Sequence, residues 1–549
     1  MSNKLIKDEY NPETGLLTGT IHYLNQLVNI CIWIFMILVI AVMPFYYDSL
    51  GYAHMGSAKC DYWTSLIQMS SRIMFPLLSA RLILCTLSSL RSTRSLRASA
   101  ASLFKSFSVT DLLVLGYGLV NIISFLMSEY KSEAFLGLDT WRMGFLSQLV
   151  FTVMYFLISR VCKKPLWLGA LFLPVTGIIF LLGYINRFGI DPLCLYNGSP
   201  LAISTIGNIN WYCGYMVTIL FGGVYLLWNS SLTGKRRILI FLYTTVGLAS
   251  LITQGSSSGI LTLAVILFVL FLLSVSDEVR MKSYFEIVLL LSGVCLFTLL
   301  IRVLAPGSLT YQEASTNLLT LTPLPAVMGA AAAAFRLWLG QESRKGRYPV
   351  KVFRILGRTA AIAAFVCVLG YLVLLVLNTI KPGSIGPLSR FSFFTFNYSW
   401  GSNRGATWTA GLAAFRDQNL WQKFFGVGQD CMASFIYSHG SPSLLNMLHT
   451  QFPGLRLTNA HNEWLTLLVN TGLLGLLTFA GTTLTAAFRY LRAGLDRTRP
   501  YYYVTGACGL NILAYVIHNT VSFQQVMNGP VLFIMLGIGE ACKRGIDSE

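Results

Sequence analysis

The chain has 549 residues, 54% hydrophobic and 11% charged, with a net charge of +18 and a mean hydropathy of +0.62. Soluble domains carry about 25% charged residues, so a water-soluble core with a polar skin is excluded. Nucleic-acid binding is also disfavoured, because Lys and Arg fall in short clusters between apolar runs, such as Arg91/Arg94/Arg97 and Lys235/Arg236/Arg237, the pattern of the positive-inside bias.

In chain order, a polar segment 1–26 with Lys4 and Lys7 precedes the first apolar run. No short apolar core followed by a small-residue cleavage site occurs there, so that run reads as a retained anchor. Apolar runs follow at 27–46, 65–88, 108–128, 143–160, 166–184, 207–228, 237–253, 259–275, 284–303, 324–341 and 359–379. After a long polar segment come 463–486, 501–521 and 524–541. Their lengths suit helices crossing a bilayer, and runs such as Leu289–Leu300 lack the alternation of barrel strands. The expected class is all-α: a polytopic integral membrane protein of about 14 transmembrane helices. With the N-terminus inside, cytoplasmic segments hold 26 Lys or Arg and short external loops hold 5, which fixes the orientation and an even number of spans. The organisation is then a cytoplasmic tail 1–26, spans 27–379, an extracytoplasmic segment 380–462, spans 463–541 and a tail 542–549. The expected localisation is multi-pass in a membrane, with segment 380–462 on its outer side.

Segment 380–462 is the only inter-span stretch long enough for structure of its own, and loops of this length usually serve function. Arg404, Trp408, Leu412 and Phe415 recur there at helical spacing, predicting a helix in the membrane interface with its Trp at headgroup level. Six basic residues stand against Asp417 and Asp430, a surplus suited to an anionic ligand and to contact with membrane lipids.

The segment closes on Asn459-Ala460-His461-Asn462-Glu463-Trp464-Leu465. With Asn459 as N-cap, His461 is expected in the first turn of the next helix. The helix dipole there disfavours imidazolium and leaves the neutral ring a general base needs. Beside Arg404, it would deprotonate a hydroxyl while guanidinium groups hold a phosphate leaving group. Glu463 either orients His461 or simply favours the helix N-terminus.

The string from Asn459 to Phe479 resembles the signature of the O-antigen ligase and O-antigen polymerase family of bacterial membrane glycosyltransferases. So do Gly401-Ser-Asn-Arg404-Gly-Ala-Thr-Trp408, Gly426-Val-Gly-Gln-Asp430-Cys and Ser204-Thr-Ile-Gly207-Asn-Ile-Asn210. The similarity spans roughly 110 to 540 and is most specific over 401–479. It implies inverting transfer of a glycan from an undecaprenyl-diphosphate-linked donor to a glycan, lipid or protein acceptor, without metal or nucleotide cofactor. It implies His461 as the catalytic base and Arg404 on the diphosphate, with Arg390, Asn462 and Glu463 as further substrate-binding candidates. Many members of the family carry an arginine in a short turn between two central spans. Here that turn is Gln254-Gly-Ser-Ser-Ser-Gly259, so Arg390 or Arg456 supplies the second charge, or the diphosphate is held differently.

The sequence shows no CxxC pair, metal-ligand cluster, Gly-rich phosphate loop or paired-carboxylate motif. Cys60, Cys194 and Cys431 fall in external loops, where spacing alone cannot pair them. Arg72 and Arg81 interrupt the second run, as functional charges or by snorkelling. His518 is read as a partner in an interhelical hydrogen bond, and His439 and His449 lack ligand spacing. A flippase for lipid-linked glycans is the rival reading; it would place charge along an internal pathway and show repeated halves.

Overall fold

A computed structural model of the chain describes residues 12–93, 101, 105–162, 167–195, 199, 201 and 203–545. Among them there is no β-strand, and a helix lies over every one of the fourteen predicted apolar runs. Helices α1 (Pro12–Ile37) and α2 (Met55–Thr93) pack side by side, followed by α3 (Val109–Met127), α4 (Lys131–Leu136), α5 (Phe145–Val161) and α6 (Trp167–Asn186). The middle of the chain forms α7 (Ile209–Asn229), α8 (Gly234–Thr253), α9 (Ser257–Ser274) and α10 (Glu278–Leu304). It continues through α11 (Ala314–Thr320), α12 (Leu324–Arg344) and α13 (Val350–Ile380). The long segment folds as α14 (Trp400–Asp417), α15 (Leu420–Phe425), α16 (Met432–His439) and α17 (Pro442–Gln451). Last come α18 (Glu463–Asn470), α19 (Gly472–Gly494), α20 (Tyr502–His518) and α21 (Gly529–Arg544).

Among the described residues, eight helices are long and apolar enough to cross a membrane, and nine if α11 and α12, bent by 51°, count as one span. The helical class therefore stands, while length and apolarity alone support fewer than fourteen crossings. Helices α20 and α21 have only 17 and 16 residues, which at about 1.5 Å per residue is shorter than the ~30 Å hydrocarbon core.

Local chemistry explains several helix ends. Ser108 and Asp111 form a capping box at α3, and Asn208 caps α7 by accepting from Asn210 and Trp211 N–H. Beyond α1 the backbone runs on as a π-turn and a 3₁₀-turn to Phe45. The buried Lys59 ammonium satisfies its loose carbonyls, donating to Met43, Pro44 and Tyr46 at 3.1, 3.1 and 2.8 Å.

Helix α7 is buried on nearly every side, as its all-round apolar surface requires, and it packs against α8 and α20. At one end of the bundle Asp111 is held by Arg160, Arg544 and the Tyr155 hydroxyl, while Glu540 pairs with Arg489 and Arg544. These ties join α3, α5, α19 and α21. Helix α13 lies at the periphery with Ile362, Phe365 and Val366 exposed, as on a lipid-facing surface. Arg81 donates to Asn25 of α1 at 2.9 Å, whereas Arg72 is exposed on α2. Cys60, Cys194 and Cys431 are free thiols.

The long segment builds a small second core on Ala410, Ala414, Met432, Phe435, Leu448 and Ala460, shared with Ala134 of α4 and Val469 of α18. It docks where the predicted run 463–486 is broken, between α18 and α19. Val427 and Gly428 N–H donate to the Val469 and Asn470 carbonyls at 3.2 and 3.0 Å. Glycines permit this approach. A Cβ on Gly426 would stand 2.1 Å from the Asn470 carbonyl oxygen, and one on Gly472 would stand 2.3 Å from the Phe424 carbonyl carbon. Both glycines also have positive φ, +78° and +68°.

Candidate active site

Helix α14 is not the helix its apolar spacing predicts. Gly401, Ser402 and Asn403 are left-handed (φ 60°, 59° and 67°), so regular helix begins at Arg404. The buried face is Ala406, Thr407, Ala410, Gly411 and Ala414, while Leu412 of the predicted stripe is 57% exposed. The reason is steric: small residues let α14 cross α18 closely, and a Cβ on Gly411 would meet the Leu465 side chain at 2.9 Å.

That close crossing brings two predicted residues together. The Thr407 hydroxyl donates to the Ala460 carbonyl at 2.8 Å, tying α14 to the residue before His461. The Arg404 guanidinium donates through Nε and Nη2 to the Val521 carbonyl at 3.1 and 2.9 Å, and through Nη1 to the Gly401 carbonyl at 2.8 Å. Arg404 makes no ion pair among the described residues. Its charge is therefore held by neutral carbonyl dipoles, which leave it net positive.

His461 is not in a helix, which corrects the expected cap. Asn462 caps α18, its Oδ1 accepting from Leu465 N–H at 3.0 Å, and helix starts at Glu463. Asn459 instead accepts from His461 N–H at 2.9 Å, and His461 itself has φ 48°. A left-handed conformation at a non-glycine residue costs on the order of 1–3 kcal/mol and marks a position the surroundings enforce. The imidazole meets the Phe523 ring edge-on, with centroids 5.1 Å apart, and receives no hydrogen bond among the described residues. Burial, then the positive charge of Arg404, pushes its pKa down to about 4. The neutral ring thus has a different cause from the expected helix dipole.

The other candidates lie elsewhere or are already engaged. Asn462 uses Oδ1 as the cap and donates through Nδ2 to the Thr520 carbonyl at 3.0 Å. Glu463 is buried and accepts from Gln524 N–H, with no hydrogen bond to His461. Arg390 ends the 3₁₀ turn Gly386–Arg390 and stacks on Phe391 at 5.0 Å. Its turn is fastened to α13, where Ser389 donates to Asn378 at 2.8 Å, and no contact brings it to His461. Arg456 donates to Ser434 and lies over Tyr437.

The sequence reading missed a basic residue at the turn Gln254–Gly259. Arg187, at the end of α6, is fully buried; its Nη2 donates to the Gln254 carbonyl at 2.8 Å, and its guanidinium lies over Tyr311 at 5.4 Å. Ser258 of the same turn is 3.2 Å from His518 Nε2, and His518 Nδ1 is 3.0 Å from Asn519 Oδ1. The interhelical partner expected for His518 is thus Ser258. Among known proteins, no family model matches the chain and no curated protein matches it.

Proposed function

We propose that the chain transfers a glycan from an undecaprenyl-diphosphate-linked donor to an acceptor hydroxyl at the outer face of a bacterial cytoplasmic membrane. In this reading all fourteen helical runs cross the bilayer and α14–α17 lie outside. The observation that carries it is the Arg404–His461 pair: a cation held, among the described residues, by carbonyls alone, beside an imidazole that receives no hydrogen bond among them and whose burial favours the neutral ring. The acceptor hydroxyl gives its proton to His461 as its oxygen bonds to the anomeric carbon. The bond from that carbon to the diphosphate oxygen breaks, and the departing charge is met by the Arg404 guanidinium. The left-handed run Gly401–Asn403 turns the chain just before Arg404, leaving that side chain at the N-terminal edge of α14.

The test is transfer from undecaprenyl-diphosphate donors in proteoliposomes. Wild type forms product, while His461→Ala and Arg404→Ala, folded as judged by thermal unfolding, do not. Full transfer by either variant overturns the assignment, and movement of donors across the bilayer without transfer supports a flippase instead.

A further inference from the structure

Phe523, whose ring meets that of His461, also lines a small cavity of about 20 Å³, room for one water. Two carboxylates line it, Asp430 and Glu463, together with Gln148, Gln429, Asn470 and Gln524. Asp430, held at φ 63°, accepts from Leu138 and Met143 N–H at 2.9 and 3.4 Å through one oxygen. Glu463 accepts from Gln524 N–H, also through one oxygen. Neither carboxylate makes an ion pair among the described residues.

A second observation points into the cavity. Gln524 is 7% exposed, and its Oε1 accepts from Gln148 Nε2 at 2.7 Å. Its Nε2 is buried without a hydrogen-bond partner among the described residues. A buried amide N–H left unpaired costs about 1–3 kcal/mol, and this one belongs to a side chain that lines the cavity, beside the Tyr515 hydroxyl.

We infer that this cavity is a proton- and water-binding site, in which Asp430 and Glu463 hold one proton between them and a single water joins them to the Gln524 amide. Two carboxylates in one desolvated cavity cannot both ionise cheaply. The charges facing them do not remove the conflict. Arg142 faces Asp430 but pairs with Asp139 at 2.8 Å, while Glu133 and the Cys60 thiol add no positive charge. Besides Asp430, the Tyr117 and Tyr515 hydroxyls face Glu463. Burial pushes the Asp430 carboxyl up to about 7.

The proton matters because of what the two carboxyls fasten. Asp430 ties the long segment to the turn before α5. Glu463 ties the His461 motif to the linker between α20 and α21, which carries Val521 and Phe523. Loss of the proton sets two negative charges against each other beneath that linker. The pair positions the site and takes no part in bond making, so the inference holds whatever reaction His461 serves.

Infrared spectra of the purified chain in nanodiscs near neutral pH give the test. Wild type should show the C=O stretch of a buried, protonated carboxylic acid. Asp430→Asn and Glu463→Gln, which mimic the protonated forms, should each alter it, and the double variant should abolish it. As pH rises between about 4 and about 7, the wild-type thermal midpoint should fall relative to that of the double variant. The sign follows from proton counting. The folded state keeps a proton the unfolded chain has released, so stability drops through that window and then levels off. Absence of the band in wild type, or its survival in the double variant, overturns the inference. Should the double variant not fold, a band unchanged in both single variants does the same.

Discussion

The Arg404 guanidinium clasps a single backbone oxygen, the Val521 carbonyl, with two N–H groups at 3.1 and 2.9 Å. Lysine reaches one acceptor as a point charge and cannot reproduce that fork. Arg404→Lys should therefore keep the fold yet lower kcat/KM for transfer at least about 100-fold, the scale of losing one preorganised donor. Steady-state kinetics in proteoliposomes decide it, and near-wild-type turnover would show that charge alone suffices.

The imidazole of His461 should titrate far below its ordinary value. With its pKa near 4, the acid limb of transfer should appear only as pH drops through about 4; an acid limb near the ordinary 6.5 would contradict the burial described. The same shift bears on stability. Between about 4 and 6.5 the unfolded chain binds a proton that the folded chain refuses. This group's contribution is therefore complete above 6.5 and is lost as pH falls towards 4. His461→Gln should remove that increment from the pH dependence of thermal unfolding.

Asn462 has two jobs that can be separated. Asn462→Ala removes the α18 cap and the tie to Thr520, and should cost about 1 kcal/mol of stability. Asn462→Asp retains the cap acceptor but loses the amide donor, so its stability should recover more than its activity. Equal recovery of both would leave the Thr520 contact without a role.

The cluster on Asp111 should matter for stability alone. Asp111→Asn leaves Arg160 without its carboxylate and Arg544 with only Glu540, and one-sided removal from a buried pair costs on the order of 3 kcal/mol. A lower thermal midpoint with unchanged kcat is expected. A selective fall in kcat would mean that this end of the bundle communicates with the other.

Much of this architecture is written in the apolar runs, since runs near twenty residues permit little but helix. The breaks are not. Asn459 and Asn462 are equally good caps three residues apart, and only tertiary contact selects the second: Glu463 N–H is held by the Asn519 carbonyl at 3.0 Å. In α14 the large apolar residues drew attention, but alanines and glycine make the buried face, because close crossing rewards small side chains over hydrophobic ones. His461 and Arg404 were legible through motif and spacing. Arg187 was not, because it meets Gln254 across 67 positions of sequence. Nothing in the local sequence distinguished Arg390, fastened beside α13, from a residue that reaches the site.

The linker from Asn519 to Gln524 supplies the Asn519 carbonyl to Glu463, the Thr520 carbonyl to Asn462, the Val521 carbonyl to Arg404, the Phe523 ring to His461 and the Gln524 N–H to Glu463. Six consecutive residues thus act as a ruler against which the site is set out. Most connecting segments absorb an added residue with little harm, but here one insertion would shift every mark at once. Length, more than composition, is what this stretch of chain must preserve.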